Sequence, residues 1–425
     1  MFSLSDDVNL ILKMLSNAGY QAYIVGGCVR DFLLHKPPSD FDITTDASPV
    51  QVEMVFNTYS VIKTGLQHGT LTVLINKEAY EITTFRTDGV YTDNRRPDSV
   101  NFTRSLADDL ARRDFTVNAL AYNPTDGLQD FFGGENDISN KIIRCVGDPY
   151  KRFNEDALRI LRALRFSSVL SFEIEENTKA AILDSRNLLS NIAAERIMSE
   201  FFKILCGDNC KNVLTEYIEV ITVFIPELSV CQELDVKSCC HTHDILNHNI
   251  KTVTACENKP YIKLAALLHN IDKLFCFTDN TDVDIARGIL NRLKVSNFIK
   301  DRALTLIKNY NCKISASRTD IKKQMNKLTS DVFNELVLLI KVDYLIKAPK
   351  TDDCDRCDEV LAIANDILSK NECYSLKGLA IKGNDLVALG YTGSKIKEIL
   401  ELVLDKVIIG ELENDYNQII NTMFT

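Results

Sequence analysis

Asp40 and Asp42 stand two apart in the segment SDFDITT. On a strand, residues i and i+2 share a face, so both carboxylates point one way with Phe41 behind them. Neighbouring carboxylates repel, and hard oxygen donors of this kind suit a divalent cation such as Mg2+. Shortly before them, YIVGGCVRD (23–31) joins an apolar strand to a helix through Gly26 and Gly27. Glycines let a phosphate approach the backbone, and a helix N-terminus offers free N–H groups. Arg30, one turn in, can reach a phosphate oxygen. Alone, each motif has an ordinary alternative: a solvated strand end, or a tight turn carrying a surface arginine. Glu81, in EITTF, is a candidate third carboxylate of the kind two-metal phosphoryl transfer uses, with a solvent-facing strand residue as its alternative.

Two further clusters carry chemistry. Arg112-Arg113-Asp114-Phe115-Thr116-Val117-Asn118 supplies donors for phosphate and acceptors for ribose hydroxyls. Before it, FRTDGVYTDNRRP (85–97) is a basic, partly aromatic loop with Arg86, Tyr91, Arg95 and Arg96, equally readable as a solvated loop. The stretch NEDALRILRALRF (154–166) reads as one helix, apolar on one side, with Asp156, Arg159, Arg162 and Arg165 three apart along the other. A carboxylate beside a guanidinium presents an acceptor next to donors. Cytosine and adenine complement that pattern, whereas uracil and guanine present its reverse. Asp156 and Arg159 would therefore accept C and A and reject U and G, at about 1–3 kcal/mol per bidentate contact. The alternative is an i,i+3 ion pair on a solvated helix face.

The elements that must position these residues follow from periodicity. MFSLSDDVNLILKML has acids where a signal peptide needs a basic end, and reads as an amphipathic helix capped by Ser5 before Val8, Ile11, Leu12 and Leu15. Ala22–Val25 is a short apolar strand. Leu71–Ile75 and Tyr80–Phe85 are β-branched runs joined by Asn76-Lys77-Glu78, a hairpin signal. Asn118–Ala121 is a further apolar run, and Asp130-Phe131-Phe132 precedes a turn at Gly133-Gly134. Beyond Asp148-Pro149 apolar residues recur at helical spacing, as in Leu158, Leu161 and Leu164. The chain thus reads as an N-terminal head of strands and helices followed by a long helical body, with a late linker near Ala348-Pro349-Lys350.

Composition narrows the classes. With 425 residues, 45% hydrophobic and 25% charged, the chain can bury a sizeable core, which excludes wholesale disorder and a small disulfide scaffold. No run approaches about eighteen apolar residues, so no membrane-spanning helix is expected. Thirteen scattered cysteines without a secretion signal point to reduced thiols in a cytoplasm. Cys354 and Cys357 form a lone CxxC with no second pair at zinc-site spacing. A net charge of −10 argues against non-specific nucleic-acid binding unless the basic residues concentrate in one groove.

Taken in order and spacing, GGCVRD, DFD, EITTFR, RRDFTVNA and RFNEDALRILRALRF resemble the class II tRNA nucleotidyltransferases, the bacterial-type CCA-adding enzymes. The resemblance runs through the first 166 residues and continues more loosely to LAIKGNDLVALGYTGSKIKEIL (379–400), which is similar to the tail of Gram-positive members. It implies an α+β fold: a nucleotidyltransferase head with a mixed sheet and helices at 1–145, then an all-helical neck at 146–205, body at 206–345 and tail at 346–425. It also implies roles. Asp40 and Asp42 would hold Mg2+, with Glu81 beside them in the catalytic set, and Gly27 and Arg30 would contact the triphosphate. Arg113 would bind the nucleotide, Asp114 and Asn118 the ribose. Asp156 and Arg159 would read the base, and Arg162 and Arg165 would support the pocket or bind the nucleotide. The implied activity is template-independent addition of CMP, CMP and AMP to the 3′ end of tRNA from CTP and ATP, releasing pyrophosphate.

The segment Arg86–Pro97 corresponds to a loop that members adding only CC lack in functional form, which disfavours a CC-only enzyme. An enzyme adding only A to tRNA ending in CC shares every residue named and is the alternative; a poly(A) polymerase or an HD phosphohydrolase is more distant. Many members carry an HD-type metal site with His, His-Asp and Asp ligands. Here His248 matches the first histidine, but Asn270 follows His269 where the aspartate is expected, and no downstream aspartate stands out. A neutral amide is a poor ligand for a divalent ion. His241, His243, Cys239 and Cys240 lie near His248 in sequence, and this region reads as structural rather than as a zinc site. Recognition of tRNA would be by shape, across backbone and 2′-hydroxyls.

Overall fold

A computed structural model describes residues 4–38, 40–89, 99–229, 242–274, 281–312, 315–348 and 352–424. The chain divides into two compact units, Met1–Ser229 and Val230–Thr425. In the first, helix α1 (Asp6–Asn17) starts where the Ser5 hydroxyl accepts the Val8 N–H at 3.3 Å, with Asp6 and Asp7 at the positive end of the helix dipole. Its Val8, Ile11, Leu12 and Leu15 are buried, as the periodicity predicts. Strand β1 (Ala22–Val25), buried throughout, leads into α2 (Gly27–Leu33), then β2 (Asp42–Thr45), α3 (Pro49–Val55), β3 (Ser60–Gly65), β4 (Thr70–Ile75) and β5 (Glu78–Thr84). The β4–β5 hairpin turns through Asn76 and Lys77 alone, both at positive φ (50° and 72°), as a two-residue turn matched to strand twist requires. Glu78 is already the first residue of β5.

A short ribbon of β6 (Arg86–Asp88) and β7 (Val100–Phe102) precedes α4 (Leu106–Ala111), and strands β8 (Leu120–Asn123) and β9 (Gly127–Asp130) complete the main sheet. Its order is β3-β4-β5-β2-β1-β8-β9. Every neighbouring pair is antiparallel except β2 and β5, which run parallel. This is the mixed sheet expected of the head. Helix α5 (Gly134–Asn140) packs on the 3-10 turn Thr116–Asn118, and α6 (Pro149–Glu155), α7 (Leu158–Leu170), α8 (Glu176–Ser185) and α9 (Ala194–Leu205) follow.

The second unit is helical among the described residues, from Thr242–Ala255 to Tyr416–Met423. Leu379, Ile381, Leu386, Val403, Leu404 and Ile419 form a core near its C-terminus. Cys354 and Cys357 are buried three apart on the helix Asp352–Ser369, and burial pushes the Cys357 thiol up to about 11, so both serve as core residues. The described residues contain no disulfide and no helix long and apolar enough to cross a membrane.

Candidate active site

Sheet register assembles the acidic side. Asp42 pairs with Val25 of β1 on one flank and with Glu81 of β5 on the other, and register partners on neighbouring strands project to one face. The strand begins only at Asp42, so Asp40 precedes it; Phe41 is half-buried, with its ring 6.0 Å from that of Phe32. Asp42 lies at the open end of its strand. Partial desolvation pushes its carboxyl up, Arg113 pulls it down, and Asp40 and Glu81 push it up again. Asp42 thus feels both Asp40 and Glu81, exposed carboxylates of the hard-oxygen type that a divalent cation takes.

The basic side begins at the glycine turn. Gly26 adopts φ 82°, ψ −129°, and a Cβ there would stand 3.1 Å from Nη1 of Arg113. Glycine is what lets that guanidinium lie against the turn. Arg30, one turn into α2, donates from Nη1 to Asn118 Oδ1 (2.8 Å) and from Nε and Nη2 to Asp31 Oδ1 (2.9 and 2.8 Å). The Arg113 guanidinium is pulled down by burial, against the support of Asp109.

Asp109, which the sequence did not single out, is fully buried. It accepts from Arg112 Nε (3.0 Å), the Arg86 backbone N–H (3.3 Å) and Thr44 Oγ1 (3.3 Å), and pairs with Arg113 at 3.6 Å. Asp114 is likewise buried. Desolvation pushes its carboxyl up, but the Arg162 ion pair and hydrogen bonds from Arg162 Nε (2.7 Å) and Asn118 Nδ2 (3.2 Å) outweigh it and hold the carboxyl at about 2.

The base-reading candidates differ from the single helix expected over 154–166. Helix α6 ends at Glu155, α7 begins at Leu158, and Asp156 between them is extended (φ −138°, ψ 105°). The cause is local: Asp156 Oδ1 accepts the Leu158 N–H at 3.1 Å, the competition with helix that short acidic side chains win. Its other oxygen, Oδ2, accepts from Arg196 Nη2 of α9 at 3.1 Å. Arg159 donates from Nη1 to Glu155 Oε2 (2.7 Å) and the Arg152 carbonyl (3.1 Å), and from Nη2 to the Arg112 carbonyl (3.0 Å). Arg165 pairs with the buried Glu200 of α9 at 3.1 Å. Arg196 and Glu200 were not foreseen, although two charged residues on a helix as amphipathic as α9 were a signal. Arg86 is in place at the start of β6, whereas Tyr91, Arg95 and Arg96 lie outside the described residues.

In the second unit His248, His269 and Asp343 bring their donor atoms within 4.8 Å of one another. Asp343 is the downstream acid the sequence left unidentified. His248 Nε2 lies 2.5 Å from Asp343 Oδ1, and Lys347 Nζ donates to Oδ2 at 2.6 Å. Burial pushes Asp343 up, but these partners outweigh it and hold the carboxyl well below the usual range. The donor set is one that could take a metal, but its carboxylate already has a lysine and a histidine. Asn270 is buried at φ 65°. His241, Cys239, Cys240 and the side chain of His243 lie outside the described residues.

Residues 22–144 match the family model of the Poly A polymerase head domain, 171–231 that of the RNA and SrmB-binding site of polymerase A, and 270–423 that of tRNA nucleotidyltransferase domain 2. The CCA-adding enzyme of Listeria innocua is 34% identical over 424 residues, covering 96% of this chain and 95% of that protein. The chain belongs to the CCA-adding enzymes. Against the CCA-adding enzyme of Leuconostoc citreum the identity is 52% over 209 residues, and there the match spans about half of each protein (49% and 51%). The crystal structure of the Bacillus stearothermophilus CCA-adding enzyme in complex with CTP aligns with TM-score 0.72 at 28% identity, covering 98% of this chain and 97% of that one.

Proposed function

We propose that this CCA-adding enzyme attaches CMP, CMP and AMP to the 3′ end of tRNA from CTP and ATP, with Mg2+ as its metal and pyrophosphate as the leaving group. In this reading residues 1–145 are the catalytic head, 146–205 a neck that recognises the base, 206–345 a body and 346–425 a tRNA-binding tail. The observation that carries it is the arrangement within the first unit: Asp42, which pairs in register with Glu81 and feels Asp40 and Arg113, beside arginines held by Asn118 (Arg30), Asp114 (Arg162) and the Arg112 carbonyl (Arg159).

Asp40, Asp42 and Glu81 would hold Mg2+, which when bound neutralises triphosphate charge and favours the ionised 3′-hydroxyl. Arg30 and Arg113, with the Gly26-Gly27 turn, bind the triphosphate. Asp114 and Asn118, locked to Arg162 and Arg30, orient the ribose of the incoming nucleotide and so its α-phosphate, for attack by the tRNA 3′-hydroxyl in line with the departing pyrophosphate. Asp156 and Arg159 read cytosine or adenine, the carboxylate as acceptor and the guanidinium as donor. Arg162 and Arg165 support that pocket or bind the nucleotide. The nine described cysteines form no disulfide, which fits a reducing compartment, and we place the enzyme in the cytoplasm.

The test is single-nucleotide extension of a tRNA lacking CCA and of one ending in CC, each with CTP, ATP or both. Two Cs on the first, completed by one A when ATP is present, are the expected result. Extension only of the CC-ended tRNA, and only by ATP, would replace this reading with an A-adding enzyme.

A further inference from the structure

Phe166 lies on α7 and is 7% exposed. Three guanidiniums face its ring: Arg165 at 4.1 Å from the centroid, Arg30 at 5.3 Å and Arg162 at 5.5 Å. The edge-on ring of Phe115, 5.7 Å away at 78°, fixes its orientation. Among the described residues the other cation–π contacts both belong to Arg302 of the second unit. The three arginines come from α2 and α7, and each has a separate acceptor: Asp31 and Asn118 for Arg30, Asp114 for Arg162, Glu200 for Arg165. What they share is the ring.

Three like charges gathered at one side chain repel. The Arg165 guanidinium registers this, pulled down first by burial and then by Arg162, with a smaller push from Arg30, against the support of Glu200 and Asp114. An aromatic face carries negative electrostatic potential and attracts cations within about 6 Å of its centroid, most strongly where water is displaced. A leucine would fill the same volume and offer no such attraction.

We propose that Phe166 is a positioning residue whose π face gathers Arg30, Arg162 and Arg165 into a preassembled tricationic cradle for the nucleoside triphosphate. This rests on the assignment of those arginines to the nucleotide under the proposed function. The ring itself need not touch the nucleotide. It lowers the cost of holding three cations together before a polyanion arrives, so its contribution is to nucleotide affinity and not to the chemical step.

The test replaces Phe166 in the full-length chain by 4-fluoro-, 3,4,5-trifluoro- and pentafluorophenylalanine. This series drains the ring face of negative potential while nearly conserving shape, with Phe166→Leu as the limit without a π face. KM and kcat for CTP and ATP are measured in single-nucleotide extension, and CTP affinity by equilibrium dialysis. KM should rise stepwise with fluorination, reaching roughly tenfold for the pentafluoro ring, with kcat and tRNA affinity within about twofold of wild type. A KM flat across the series, or a fall in kcat alone, would show that Phe166 only fills space and overturn the inference. If the wild-type chain extended no tRNA, the functional reading would fall. The dialysis series would still decide between a graded loss of CTP affinity, as inferred, and none.

Discussion

The Asp114–Arg162 pair allows the electrostatics of the site to be tested as a free energy. Asp114 is held at about 2 against an ordinary 3.8. At about 1.4 kcal/mol per pH unit, that gap corresponds to roughly 2 kcal/mol of folding stability at neutral pH. Arg162→Met keeps the aliphatic stem and Asp114→Asn keeps the carboxylate's shape, so a double-mutant cycle isolates the pair. Arg162→Met alone should cost about 3–5 kcal/mol, because it leaves a buried carboxylate unpaired. The cycle should return a clearly favourable coupling at pH 7, not equal to the net gap, because desolvation, Asn118 and Arg159 also enter that gap. The sign with pH is fixed: the folded value lies below the unfolded one, so the contribution is complete above 3.8 and fades as pH falls from there toward about 2. The wild-type contribution should therefore be equal at pH 7 and pH 5. Urea unfolding read by hydrogen exchange in peptides of the first unit provides the free energies. A coupling within about 0.5 kcal/mol of zero at pH 7 would refute the assignment.

Asp42→Ala should abolish extension while tRNA affinity stays within about twofold; retained turnover would remove Asp42 from the metal set. Arg159→Met should reduce discrimination of CTP over UTP by about 5–150-fold, and unchanged misincorporation in single-turnover extension would reject the base-reading role. Gly134→Ala should lose about 1–3 kcal/mol or more, because its Cβ would stand 2.3 Å from the Thr116 carbonyl, and should lower activity by displacing Asn118; a wild-type melting temperature would contradict the packing at that turn. Affinity for tRNA should fall about tenfold or more between about 50 and about 200 mM salt, and a flat response in filter binding would count against phosphate contacts.

Much of the head was legible because its signals are local. The Asn76-Lys77 turn, the Gly26-Gly27 junction and the apolar face of α1 each depend on residues a few positions apart. The parallel pairing of β2 with β5 is not local, and nothing in either strand announces that Asp42 and Glu81 share a register. The break at Asp156 was hidden for the opposite reason. The i,i+3 spacing of its arginines favours one helix, and only the side chain's bond to the Leu158 N–H decides otherwise. Asp109 and Asp343 escaped notice because what marks them is burial among partners, up to 95 residues away for His248 and Asp343. Arg196 and Glu200 required knowing which helix faces α7.

The strand order has a kinetic corollary. Asp40, Asp42 and Glu81 leave a ribosome before Arg113, Asn118 and the arginines of α7, and β1 gains its second neighbour only when β8, ending at Asn123, is available. During synthesis the acidic edge of the sheet is thus exposed before Arg113, the cation that acts on Asp42, exists. Its carboxylates must wait on later residues or on cations from solution. Nascent chains halted before and after residue 123 should differ sharply in how far millimolar divalent ions protect β2 and β5 from proteolysis.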